Sequence, residues 1–242
     1  MMISKKSTIK ELTFENRYLE PVIERFGLKK FHWDSSLEEV CLDHNQDPDF
    51  VVKMLYAFDD TESFPKEELS KFPITYIIEY LKKTHLYYLN KKLPEIELSI
   101  SNLRLQFSEE FPELDISENF FKEYKNDLTH HIENEEKELF PYIELLYNIR
   151  ENIIARPAAD FFKTYSILEF IDGHHEVEDH LEDIRKDILS YSPECPLLPF
   201  KIFLNQLNAF EKDLCKHAQV ENEVLIPKAL ELENQIKAIY HF

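Results

Sequence analysis

His131-Ile-Glu-Asn-Glu135-Glu-Lys-Glu-Leu139-Phe-Pro141 recurs 86 residues later as His217-Ala-Gln-Val-Glu221-Asn-Glu-Val-Leu225-Ile-Pro227. In each copy a histidine is followed by glutamate at +4, leucine at +8 and proline at +10. Residues four apart project from one side of an α-helix about a turn apart, so each histidine and its glutamate can serve one site. The flanking residues say which way that side faces. Phe121, Tyr124, Leu128, Leu139 and Tyr142 keep register with His131 and Glu135 at steps of three and four. Phe203, Leu207, Phe210, Leu214 and Leu225 do the same for His217 and Glu221. Such stripes mark amphipathic helices, and they predict that these polar groups point into a core.

Two more histidines extend the spacing. His85 lies 46 residues before His131, on a stripe of Ile74, Ile78, Leu81 and Tyr88. His174 lies 43 residues after His131 and 43 before His217, on a stripe of Ile167, Ile171, Glu178, Leu181 and Ile188. The register favours His174 over its neighbour His175 without deciding between them, and it places His130 and His175 outward or behind the ligands. Four helical stretches follow, over roughly 66–107, 117–149, 158–190 and 198–239. They are broken at Pro112 to Ile116, at Arg156-Pro157, and between Ser192 and Pro199. Connections this short imply an up-down-up-down four-helix bundle. Only two glycines occur in the chain, too few for the tight turns of a sheet protein, so the fold class is all-α. Pro94, Pro141 and Pro227 are expected to kink or close their helices.

Ahead of the bundle, residues 1–60 read as a small helical domain, with the bundle domain spanning 66–242 and a linker between them. Thr8 can cap a first helix whose stripe runs through Leu12, Phe14, Tyr18, Val22 and Ile23, with Gly27 as its terminator. Ser36 with Glu39 forms a capping box, and Asp47-Pro48 opens a third helix. The net charge of −19 disfavours nucleic acid and anionic membrane surfaces as partners. No apolar run opens the chain, and the three cysteines (Cys41, Cys195, Cys215) are widely spaced. These features read as a cytoplasmic protein with reduced thiols. Cys215 is expected to be a small buried residue.

Buried carboxylates are costly unless paired, hydrogen-bonded or bound to a cation. Two of them among four histidines call for metal. Donors of this type, without thiolate, suit iron or manganese, and zinc also fits. With both glutamates bridging and a shared oxo or hydroxo group, His85, His131, Glu135, His174, His217 and Glu221 fill roughly ten of the twelve positions on two octahedral ions. The remaining openings suit a small molecule. Glu178, four residues after His174, reads as a residue at the rim of the site, with an extra ligand or a proton relay as the alternatives.

These motifs resemble the repair-of-iron-centres (RIC) family of hemerythrin-like di-iron proteins. The resemblance rests on Leu93-Pro94-Glu95, His131-x3-Glu135-Glu136 with Leu139-Phe140-Pro141, Gly173-His174 with Leu181 and Ile184-Arg185, and His217-x3-Glu221-Asn222 with Val224 to Pro227. It implies a hemerythrin-like bundle in which the four histidines are terminal ligands to two non-haem iron ions and the two glutamates bridge them. It also implies a role in repairing iron–sulfur clusters after nitrosative or oxidative damage, with nitric oxide bound or reduced at the centre. Phe26-Gly27-Leu28 and Ser36 to Cys41 resemble the family's N-terminal accessory domain. The family carries a Cys-Cys pair between those stretches, where this chain has Phe31-His32-Trp33-Asp34, so thiol chemistry is not carried over.

Three functions compete on the sequence. One is a di-iron stress protein acting on nitric oxide, dioxygen or damaged iron–sulfur proteins. Another is a dioxygen or nitric oxide carrier or sensor without turnover, and the last a structural module whose histidines are core residues. A homodimer is compatible with all three.

Overall fold

Three long striped segments form helices that share one irregularity. The computed structural model describes residues 3–28, 33–59, 63–153, 166–173, 186 and 198–240. Among these the ordered elements are helical: α1 Ile9–Glu15, α2 Leu19–Arg25, α3 Leu37–Asp43, α4 Pro48–Ala57, α5 Lys66–Leu69, α6 Ile74–Tyr87, α7 Leu93–Phe107, α8 Leu114–Asn134, α9 Phe140–Arg150, α10 Ile167–Gly173, α11 Leu198–Val220 and α12 Ile226–Tyr240. Single π-helical turns, π1 Tyr88–Lys92, π2 Glu135–Leu139 and π3 Glu221–Leu225, join α6 to α7, α8 to α9 and α11 to α12. The fold is an all-α helical bundle, as expected.

A π-turn precedes each of the prolines expected to kink or close its helix, and the helical chain runs on past it. The residue before each proline donates its N–H to a carbonyl five residues back: Leu93 to Tyr88, Phe140 to Glu135, Ile226 to Glu221. A proline ring clashes with the carbonyl four residues earlier and supplies no N–H of its own. Widening the preceding turn by one residue accommodates both defects while the helix continues.

The chain clusters into two compact units. One comprises Met1–Thr84 with Lys216–Glu231. Its helix starts are capped as the sequence predicts. Thr8 and Glu11 exchange side-chain and backbone bonds at 3.2 and 2.8 Å, and Ser36 and Glu39 at 3.3 and 3.0 Å. An isolated bridge between Thr8 and Ser36 ties the two caps together. Gly27, at φ 75°, ends α2 in a left-handed residue: its N–H reaches Glu24 and that of Leu28 reaches Ile23, the Schellman pattern that relieves orphan carbonyls. Buried Arg25 donates to the Tyr80 hydroxyl at 3.0 Å and lies over the Phe58 ring. The expected Phe14 to Ile23 stripe does not hold. Asn16 adopts extended backbone and splits the helix, leaving Phe14 and Tyr18 exposed while Val22 and Ile23 are buried.

The other unit comprises His85–Cys215 with Leu232–Phe242. Here α7 and α8 form an antiparallel pair. Glu97 meets Lys125 at 2.6 Å, Ser101 meets Glu118 at 2.5 Å, and Arg104 meets Glu118 at 2.9 Å and Asp115 at 3.5 Å. Partners on α8 descend as those on α7 ascend, so the ladder sets the register. Tyr88, Ile96, Ile100, Phe121, Tyr124, Phe203, Leu207 and Phe210 belong to one buried cluster. Ile167 is buried but Ile171 is exposed, and the other stripe positions of that stretch lie outside the described residues. Cys215 is exposed rather than buried. It follows buried Leu214 by one residue, and that step of about 100° turns it off the stripe.

Replacing Ser36 with alanine is expected to lower stability by about 1 kcal/mol, the ordinary cost of a lost N-cap. Urea denaturation checks this, and an unchanged midpoint at unchanged slope would show that the capping box contributes nothing.

Candidate metal centre

Glu135 is fully buried, at 0% exposure, and opens the π2 turn. Its two oxygens face different histidines. His85 Nε2 lies 3.1 Å from Oε2, and His131 Nε2 lies 3.0 Å from Oε1. The imidazoles come from different helices: His131 stands one turn earlier on α8, whereas His85 reaches across from α6. Having Leu89 at +4, His85 takes its carboxylate partners from the other helix. His85 is buried as well and His131 nearly so. On α11, His217 Nε2 stands 4.0 Å from Glu221 Oε2 at the start of π3, both buried.

The remaining predicted residues divide simply. His174 and Glu178, with His175, lie outside the described residues. His130 is exposed, as its place on the helix implies.

Two side chains that the stripe reading passed over also shape the centre. Glu136 Oε1 lies 2.9 Å from His85 Nδ1, and the Phe140 ring stacks on the His85 imidazole with centroids 5.5 Å apart and planes 9° from parallel. Glu136 appeared in the sequence only as the second half of a Glu-Glu pair. Phe140 follows Glu135 by five residues, a spacing that the wide turn brings to one side.

Burial works against charge on His85, but hydrogen bonds to Glu135 and Glu136 outweigh it and hold the imidazolium above its ordinary value of 6.5. Burial likewise opposes the Glu135 carboxylate. The facing His131 and His85 reverse that and hold it well below its ordinary 4.5. The metal-free centre is therefore an ion-paired cluster. Its His85 contribution is complete below about pH 6.5 and fades as pH rises through the raised value. The Glu135 contribution is present above about 4.5 and lost as pH falls through the lowered one.

A cation could take the place of that proton. Donors bound in adjacent positions at about 2.1 Å lie about 3 Å apart, which is the separation of each imidazole nitrogen from its Glu135 oxygen. Glu135 offers a separate oxygen to each of His85 and His131, as a bridging carboxylate would. In the other unit His217 and Glu221 form a second buried imidazole–carboxylate pair. No thiolate stands among these groups, which favours iron or manganese and also admits zinc.

A model of the hemerythrin HHE cation-binding domain matches residues 77–229. The chain belongs to the hemerythrin HHE family. It is thus a cation-binding, hemerythrin-like protein, and the matched span contains all five described donors. A comparison with curated proteins finds no match. No helix among the described residues is long and apolar enough to cross a membrane.

A cation held by His85 would have to displace its proton, so apparent affinity is expected to weaken by about tenfold per pH unit below the raised value. Fe(II) titrations between about pH 6 and about pH 8, with released protons counted in weak buffer, check this. A pH-independent affinity would show that His85 is not among the groups the metal displaces.

Proposed function

We propose that this hemerythrin-like chain holds two non-haem iron ions and binds a small diatomic molecule, nitric oxide or dioxygen. In this reading it serves the response to nitrosative or oxidative stress, and the repair of iron–sulfur clusters is the process it supports. One observation carries the metal part: a single buried carboxylate presents each of its oxygens to a different imidazole. That pattern suits a bridge between two cations better than a simple core ion pair, which needs one partner.

The assignment gives His85, His131 and His217 as terminal ligands, Glu135 and Glu221 as bridges, and His174 as a further ligand in the third helical stretch. Redox-active cations held there would supply the chemistry of small-molecule binding and electron transfer. The chain's own contribution is positioning and exclusion of water. Phe140 covers one face of His85, and fully buried Leu139 and Phe140 follow Glu135 through the turn. Such an apolar shell holds off solvent and tunes a metal's potential. The stress role is supported by the resemblance of the two histidine–glutamate phrases to the repair-of-iron-centres family.

Protein purified without chelators is expected to contain two irons per chain. Glu135→Ala should bring this below one, since His85 and His131 both lose the carboxylate that faces them. Loading should raise the melting midpoint by about 5–10 °C, from several kcal/mol of linkage at saturating metal. Stopped-flow mixing of the reduced protein with nitric oxide should produce a new absorption band. Less than one metal per chain, with a melting midpoint indifferent to chelators, would remove the centre altogether. A silent nitric oxide experiment beside a stable, reversible oxygenated spectrum would replace the stress role with oxygen binding.

A further inference from the structure

Two consecutive residues of one helix grip opposite edges of a single imidazole. Glu135 stands 3.1 Å from His85 Nε2, and Glu136 stands 2.9 Å from His85 Nδ1. Phe140 closes one face of the ring. The ring's two nitrogens and one face are thus set by residues 135, 136 and 140, which share the π2 turn and its exit. Consecutive helical residues diverge by about 100°, so a pair can straddle a ring that enters between them.

Glu135 faces both His85 and His131, whereas Glu136 meets the far nitrogen of His85. Its side chain is one-third exposed, against 1% for His85. We propose, resting on the metal-centre reading above, that Glu136 is a positioning residue: it accepts from Nδ1–H of His85 and thereby presents the Nε2 lone pair to the cation. An imidazole bound through one nitrogen donates the other N–H to an acceptor that fixes tautomer and ring angle, and such acceptors are worth 10–100-fold in metal affinity. His85 has particular need of one. The partner copy of the phrase shows the contrast: Asn222 occupies the position equivalent to Glu136 and is exposed. The two halves of the duplicated motif are therefore chemically unequal, and the ion bound through His85 is the one that depends on Glu136.

The test uses the full-length chain with Fe(II) alone, titrated anaerobically against a competing chelator. Glu136→Ala is expected to weaken one equivalent of iron by about 10–100-fold and to speed its release to chelator by a similar factor, leaving the other equivalent near its wild-type affinity. Glu136→Gln retains an acceptor oxygen and should recover part of the loss, and it also serves if the alanine variant folds poorly. Metal-free Glu136→Ala should melt somewhat below the wild type where His85 is protonated, because that imidazolium loses one carboxylate partner. A general structural defect would weaken both equivalents of iron alike, which overturns the positioning role. Wild-type affinity and release in Glu136→Ala overturn it too, with the metal centre intact. A wild-type chain that takes up no Fe(II) defeats the metal-centre reading itself, a result plainly different from either.

Discussion

A carboxylate with no access to water must be neutralised where it stands, and much of this fold follows from that requirement at Glu135. Taking an isolated charge out of water costs several kcal/mol even after relaxation. The compensation comes from His131 on the same helix and His85 on another. The first is guaranteed by helical spacing. The second requires α6 and α8 to keep a fixed register, because a slip of one residue shifts a side chain by 1.5 Å and turns it by about 100°. The paired rungs between α7 and α8 supply that register. Most are partly exposed and individually weak, so they act more as alignment than as stabilisation. Alignment is what a metal site needs.

Much of this was legible from the sequence because burial in helices leaves a periodic trace. Ile74, Ile78, Leu81, His85 and Tyr88 are all buried, and so are Phe203, Leu207, Phe210, Leu214, His217, Glu221 and Leu225. The caps at Thr8, Ser36 and Asp47 were equally readable, since each is a local bond within four residues. What escaped was whatever depends on departures from the ideal helix or on contacts across helices. The prolines do not close their helices, and the widened turn before each one leaves no mark in the hydrophobic pattern. Glu136 lies off the stripe in sequence and meets His85 only through the fold. Phe14 and Tyr18 fitted a stripe that the backbone at Asn16 interrupts.

The thiols bear on where this protein's chemistry can reside. Cys41 is buried in the N-terminal helices, and burial, aided by the Asp47 charge, pushes its thiol up to about 12. A thiol so rarely ionised is a poor nucleophile and a poor redox partner. Cys215, exposed on α11, stands two residues from His217. Among the described residues, imidazole and carboxylate groups are therefore the stronger candidates for metal chemistry.

The wide turns have a dynamic consequence. Each replaces well-aligned backbone bonds with longer-range ones, in a conformation that is rare outside functional sites. Two of them begin on Glu135 and Glu221, so a cation held by those glutamates would anchor the first residue of the irregular stretch. Without that anchor these are the places where long helices breathe first. Amides of Glu135–Phe140 and Glu221–Ile226 should then trade hydrogen for deuterium sooner than those of α8 or α11. Loss of metal would announce itself as local fraying at two points, well before any global unfolding of the bundle.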